Sequence, residues 1–232
     1  VNVTGTFVSR YAYELTTTGN IHDEKKAIYK LMPKNENYVV KPTHKANSAG
    51  VYVVKYDESS GITSIGKSGR PLEQVSKRSE EKYRIEIVKS LARDLHEDAT
   101  SYESWALNNA KPGLLIEQRF TSWERDDLAA VEFKVFTIWG RVHVGYWKRG
   151  IVHNGIVYRN GSSVICEDTK MPLPGWVDFA RVVEIAEKLG AHKDMFRVDV
   201  FAGVPAGSPA MRPDATNDDR LAAVEYVVSE VE

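Results

Sequence analysis

Two runs near the end of the chain, Phe196-Arg197-Val198-Asp199-Val200-Phe201 and Val227-Val228-Ser229-Glu230-Val231-Glu232, constrain its fold more than any other feature. Both are rich in β-branched residues and carry charges at alternating positions. That is the period of a strand, in which residues i and i+2 point to the same face. Glu230 and Glu232 therefore project together, and Asp199 joins them if the two strands are neighbours. Three carboxylates converging on an apolar sheet repel one another unless a cation sits among them. Hard oxygen ligands of this kind suit magnesium or manganese, typically bridged to a nucleotide's phosphates. Arg197 shares the face of Asp199 and sets a fixed positive charge beside that metal. The plain alternative, for each residue taken alone, is an edge-strand charge facing water.

The length of 232 residues admits one large domain or two small ones. Lys and Arg number 31 against 32 Asp and Glu, so no basic field argues for nucleic acid and no acidic tail is present. The single cysteine, Cys166, rules out an internal disulfide framework and suits a reducing compartment. With no signal-like start and no apolar run long enough to span a bilayer, the expectation is a cytoplasmic globule. Neither nucleic acid nor membrane is expected as a partner.

Along the chain the order of elements is α+β. Asp23 to Leu31 reads as a short helix stopped at Pro33; Asn37 to Lys41, Val51 to Tyr56 and Ile62 to Ile65 read as strands. Pro71 to Leu95 is expected to be one long amphipathic helix, with Leu72, Val75, Ile85, Val88, Leu91 and Leu95 on its apolar face. Leu114 to Phe120 is a strand, and Val131 to Ile138 with Val142 to Trp147 a hairpin across Trp139-Gly140-Arg141. Val177 to Leu189 is a helix after the break at Pro172 to Gly175, with Gly190 as its expected C-cap. Gly203 to Arg220, rich in Pro, Gly, Ala and Asp, reads as a mobile excursion between the two acidic strands.

Other short motifs carry chemistry. Tyr38-Val39-Val40-Lys41-Pro42 is a strand ending in a lysine, able to set its ammonium on a phosphate as a point charge. The turn Ala46-Asn47-Ser48-Ala49-Gly50 follows, where small side chains let backbone N–H groups approach phosphate oxygens. It is not a Walker P-loop, lacking the G-x-x-x-x-G-K-[ST] pattern and opening no helix. The run Leu114-Leu115-Ile116-Glu117-Gln118-Arg119-Phe120 has an apolar stretch suited to an adenine slot beside an extended backbone. Glu132 and Lys134 share one strand face, either for a ribose hydroxyl and a phosphate or as a simple ion pair. Lys148-Arg149, just after the strand Val142 to Trp147, is either a further basic group or simply a solvated strand end.

In this order, the lysine strand, the small-residue loop, Ile116-Glu117, Glu132-x-Lys134, Arg197-x-Asp199 and Glu230-x-Glu232 resemble the ATP-grasp superfamily. The chain is most similar to its teichuronopeptide-synthesis type, and similar also to D-alanine–D-alanine ligases. The resemblance runs from about Tyr38 to Glu232. It implies an ATP-grasp fold in which two α+β subdomains sandwich the nucleotide, over 37–120 and 121–232, after an N-terminal segment of 1–36 read as a remnant of a preceding domain. It implies Lys41 and Lys45 at the phosphates, with Ser48, Ala49 and Gly50 closing over them. Glu117, Gln118, Arg119 and Phe120 would line the adenine, with Glu132 near the ribose and Lys134 near the phosphates. Asp199, Glu230 and Glu232 would hold magnesium, or manganese, while Arg197, Lys134 and Arg149 serve the transferred phosphoryl group. One departure is Glu232, since the family's third metal position is usually Asn. Others lie at the ends, because members commonly extend beyond both, and this leaves the acceptor site open.

The activity implied is ATP-dependent ligation of a small-molecule carboxylate to an amine, amino acids or peptides included, through an acyl-phosphate. The alternative is a small-molecule kinase on the same scaffold, for which His143, His153 and Asp168 are candidate bases.

Overall fold

The alternating runs become strands, and every pairing among the described strands is antiparallel. The structure, a computed structural model, describes residues 11–13, 21–42, 50–58, 60–67, 72–94, 113–150, 152–165, 172–212 and 214–231. They form two units, one within residues 8–119 and one within 120–232, each with its own sheet and hydrophobic core. The class is α+β. No helix among the described residues is long and apolar enough to cross a membrane.

In the first unit the strands β1 (Tyr11–Tyr13), β2 (Tyr38–Pro42), β3 (Tyr52–Asp57), β4 (Ile62–Lys67), β5 (Glu73–Val75) and β6 (Leu114–Gln118) form one sheet. Their order is β1-β6-β2-β3-β4-β5. Helices α1 (Ile21–Leu31) and α2 (Lys77–Asp94) pack together, and α2 lies on the sheet. Tyr38, Val40, Val54, Ile65, Leu114 and Ile116 meet Ile28, Met32, Ile87, Val88 and Leu91 in the core.

The long helix expected from Pro71 is divided in two. Glu73–Val75 pairs with β4 as a strand, and the Ser76 hydroxyl accepts the Ser79 N–H at 3.3 Å, which starts α2 at Lys77. Val75 is therefore buried from a strand, while Ile85 is 39% exposed and Ile87 takes the inward position. The inward face runs Arg84, Ile87, Val88, Leu91, and Ile85 sits a quarter-turn away from it. Arg84 is buried because its guanidinium caps α1, donating to Pro33 O at 2.6 Å and Met32 O at 2.8 Å.

The second unit is built on β7 (Phe120–Thr121), β8 (Val131–Ile138), β9 (Arg141–Arg149), β10 (Val152–Tyr158), β11 (Ser163–Ile165), β12 (Met195–Pro205) and β13 (Glu225–Val231). The order is β11-β10-β9-β8-β12-β13, with β7 joining β12 at its far end. Helix α3 (Phe179–Gly190) packs on β8, β9 and β12. Its N-terminus is capped by Asp178, whose carboxylate accepts the Arg181 N–H at 3.3 Å. The Asp178 N–H in turn donates to the Tyr226 hydroxyl at 2.6 Å, tying β13 to the helix start. Val131, Phe133, Val135, Trp147, Val198, Val200 and Ala202 face α3 through Val182, Val183, Ile185 and Ala186. Burying a side chain such as Phe133 contributes about 1.5–3 kcal/mol.

Two expectations in this unit are corrected. Gly190 is the last residue of α3 and not its C-cap, which is Ala191. A Cβ at Gly190 would lie 2.2 Å from Thr137 Oγ1, so close helix–sheet approach explains the glycine. The stretch Gly203 to Arg220 is not a structureless excursion. It begins inside β12, makes a 3-10 turn at Pro209–Met211 and ends in α4 (Asn217–Ala222), opened by a Thr216–Asp219 capping box. Strands β10 and β11 were not anticipated, although Asn160-Gly161 between them is a turn signal, with Gly161 at φ 81°.

Candidate functional site

Five charged residues of the second unit, Glu132, Lys134, Lys148, Arg197 and Asp199, meet on the sheet face opposite α3. Cross-strand register is the reason. Lys134 of β8 lies directly opposite Asp199 of β12, and Asp199 lies directly opposite Glu230 of β13. Glu132 lies directly opposite Lys148 of β9. Strand neighbours on one face are close enough for their side chains to interact.

These side chains form a connected ion network. The Asp199 carboxylate is 1% exposed and accepts from the Lys134 ammonium and from Arg197 Nε at 2.8 Å and Nη2 at 3.3 Å. Lys134 also stands 3.2 Å from Glu132, which takes the Lys148 ammonium at 2.9 Å. Asp199 is thus no edge-strand charge facing water: β12 is flanked by β8 and β13, and the carboxylate is buried under its own partners. Burial by itself would pull the Lys134 ammonium down. Its hydrogen bond to Asp199 and the charges of Asp199 and Glu132 outweigh that, and its pKa stands above the ordinary lysine value. Among these described side chains, Lys134, Lys148 and Arg197 interleave with Asp199 and Glu132, and the Glu230 position stands in register beside Asp199.

The other expected site residues are placed as follows. Arg149 lies opposite Val131 and so shares the α3 side of the sheet, away from Arg197 and Lys134. There it holds Glu124 at 2.9 Å. Lys148, one residue earlier, is the basic group that joins the network; strand alternation is the signal that separates the two. In the first unit, Lys41 on β2 forms an ion pair with Glu117 on β6 at 3.1 Å. The run Glu117 to Phe120 is divided. Glu117 and Gln118 are in β6, Arg119 is buried after it, and Phe120 begins β7 of the second sheet. Gly50 has φ 74°, and a Cβ there would meet Asp94 Oδ2 at 2.7 Å, so only glycine fits at the root of the small-residue loop. Lys45, Ser48 and Ala49 lie outside the described residues, as do Glu232 and Asp168; of Glu230 and His153 only the backbone is described.

For a divalent cation the donor chemistry fits as far as it is described. Asp199 offers a buried hard carboxylate that already gathers two cationic groups, and Glu230 is in register beside it. No group of three His, Cys, Asp or Glu side chains able to hold a metal occurs among the described residues.

Compared with protein-family models, with curated proteins and with solved structures, the chain matches none of them.

Proposed function

We propose that the chain is a magnesium-dependent ATP-grasp ligase that activates a small-molecule carboxylate by phosphoryl transfer for attack by an amine. The observation that carries this reading is the network on the second sheet, where Glu132, Lys134, Lys148, Arg197 and Asp199, drawn from three strands, share one face. Two lysines and an arginine gathered in a half-buried cluster suit the phosphates of a nucleotide, because a partly desolvated site strengthens each contact.

In this reading Asp199 and Glu230 hold magnesium, which neutralises phosphate charge when bound. Lys134 then exchanges Asp199 for a phosphate oxygen, one anionic partner for another. Arg197, fixed by two hydrogen bonds to Asp199, points a preorganised donor at the transferred group. Lys148 holds Glu132 in place for a sugar hydroxyl. Lys41 of the first unit contacts a phosphate, giving up Glu117 to do so. The protein's share is positioning and charge compensation, not covalent catalysis.

Product analysis tests the reading. ADP released only when both a carboxylate and an amine accompany ATP supports ligation; a phosphorylated hydroxyl acceptor supports the kinase alternative; no ADP with any acceptor overturns both. Glu230→Gln is expected to abolish ADP formation with an unchanged circular dichroism spectrum, and wild-type turnover in that variant removes the metal assignment.

A further inference from the structure

One end of the second sheet carries a surface that the proposed chemistry does not use. The β8–β9 hairpin closes through the two-residue loop Trp139-Gly140, with both residues left-handed at φ 49° and 75°. Asn-Gly is the usual choice for such a turn, and a bulky aromatic at its first position is strained. Trp139 nevertheless is 81% exposed, so its ring contributes little to the core. It is held out rigidly. The Trp139 N–H donates to Asp194 O at 2.9 Å, and a Cβ at Gly140 would lie 3.2 Å from Ala191 Cα, so the α3–β12 loop is packed against the hairpin.

Beside Trp139 stand Ile138, 38% exposed, and Met195, 67% exposed, which lie directly opposite each other across β8 and β12. Around them Arg141, at the start of β9, and the loop residues His192 and Lys193 are exposed; the acids at this end are Asp194 and Glu187, and Glu187 is already held by Arg159. A hairpin turn that leaves its indole 81% exposed holds the ring out from the sheet and does not bury it in a groove. A deformable headgroup layer accepts it, with the indole at the polar–apolar boundary and the cations among anionic lipids.

We infer that the Ile138–Trp139–Met195 tip, with its Arg141 and Lys193 rim, is a peripheral anchor for an anionic lipid surface. This goes against the sequence-based expectation of no membrane partner and stands independently of the ligase reading.

Vesicle flotation tests it with the full chain. Wild type is expected to float at low salt with phosphatidylcholine vesicles containing phosphatidylserine, and to be released by molar salt. Trp139→Asn is expected to weaken that partition by about tenfold or more, the effect of withdrawing one inserted aromatic side chain. The same variant should melt no lower than wild type, because asparagine suits the left-handed turn position. Met195→Ser should weaken binding in the same direction, and Lys193→Glu should weaken it only on anionic vesicles. Failure of wild type to float, or flotation unchanged in Trp139→Asn, overturns the inference. Equal binding to phosphatidylcholine alone overturns the anionic assignment. Self-association that is lost in Trp139→Asn, without flotation, assigns the tip to a second copy of the chain instead.

Discussion

The two units each present an ion pair between neighbouring strands at a position where sequence points to phosphate chemistry, and the two are built differently. Lys41–Glu117 is a single pair at 3.1 Å with side chains 25% and 29% exposed. Lys134–Asp199 belongs to a five-residue network whose central carboxylate is 1% exposed. Water can replace either partner of the first pair at little cost. In the second, desolvation has already been suffered, so each charge depends on the others to offset it. The lesson is that the same residue types on the same kind of ladder form a loose contact in one sheet and an obligatory cluster in the other.

The largest expected effect tests that contrast directly. Asp199→Ala removes the buried carboxylate at the centre of the network and should lower the unfolding free energy by about 3–5 kcal/mol. Lys41→Ala should cost less than about 1 kcal/mol. Urea unfolding of both variants measures the difference, and equal costs would erase the distinction between pair and network.

Nucleotide affinity separates structural from ligand roles. Under the ligase reading Lys41→Ala weakens ATP binding by about 1.5–3 kcal/mol, the loss of one charge-assisted contact, while leaving stability nearly intact. Calorimetry showing unchanged affinity would leave Lys41 as a surface ion pair and nothing more.

Packing density offers a smaller test within the second unit. Gly190→Ala drives a Cβ into Thr137 and should destabilise by about 1–3 kcal/mol. Gly175→Ala, where no atom lies within 4 Å of the added Cβ, should stay within about 0.5 kcal/mol of wild type. Thermal unfolding of the pair reads this out, and similar shifts would mean that α3 does not press on β8 closely enough to require the glycine.

The smallest effect is a pH slope. Lys134 has a pKa raised above its unfolded value, so its stabilisation is complete below the unfolded lysine value of about 10.4 and is lost as pH rises through the folded value. Wild type should therefore lose stability in the alkaline range more steeply than Lys134→Met. Parallel alkaline profiles would show that the network draws nothing from the lysine's charge.

Much of this architecture was legible beforehand. Val131 to Val135 alternates cleanly, and burial follows it at Val131, Phe133 and Val135. Val182, Ile185 and Ala186 at helical spacing mark the inward face of α3. Glu132 and Lys134 were paired on one face by strand period alone. The failures are equally particular. Ser76, a helix cap, was hidden in a run that otherwise kept helical period, so a strand and a helix merged into one. Arg149 was preferred to Lys148 because two adjacent cations look equivalent until the strand face is known.

What the sequence determined by itself is which residues can share a face, since that follows from a period of two in any strand. What tertiary structure decided is which strands adjoin and in what register. Two bulges settle it. In a regular hairpin Glu132 would lie opposite Trp147; the irregularity at Phe136/Thr137 shifts its partner to Lys148. In a regular β12–β13 ladder Asp199 would lie opposite Ser229; the irregularity at Asp199/Val200 brings Glu230 there instead. A one-residue slip carries every side chain beyond it to the other face, and no local periodicity records where such a slip occurs. The candidate site exists because both slips fall where they assemble charge on a single surface.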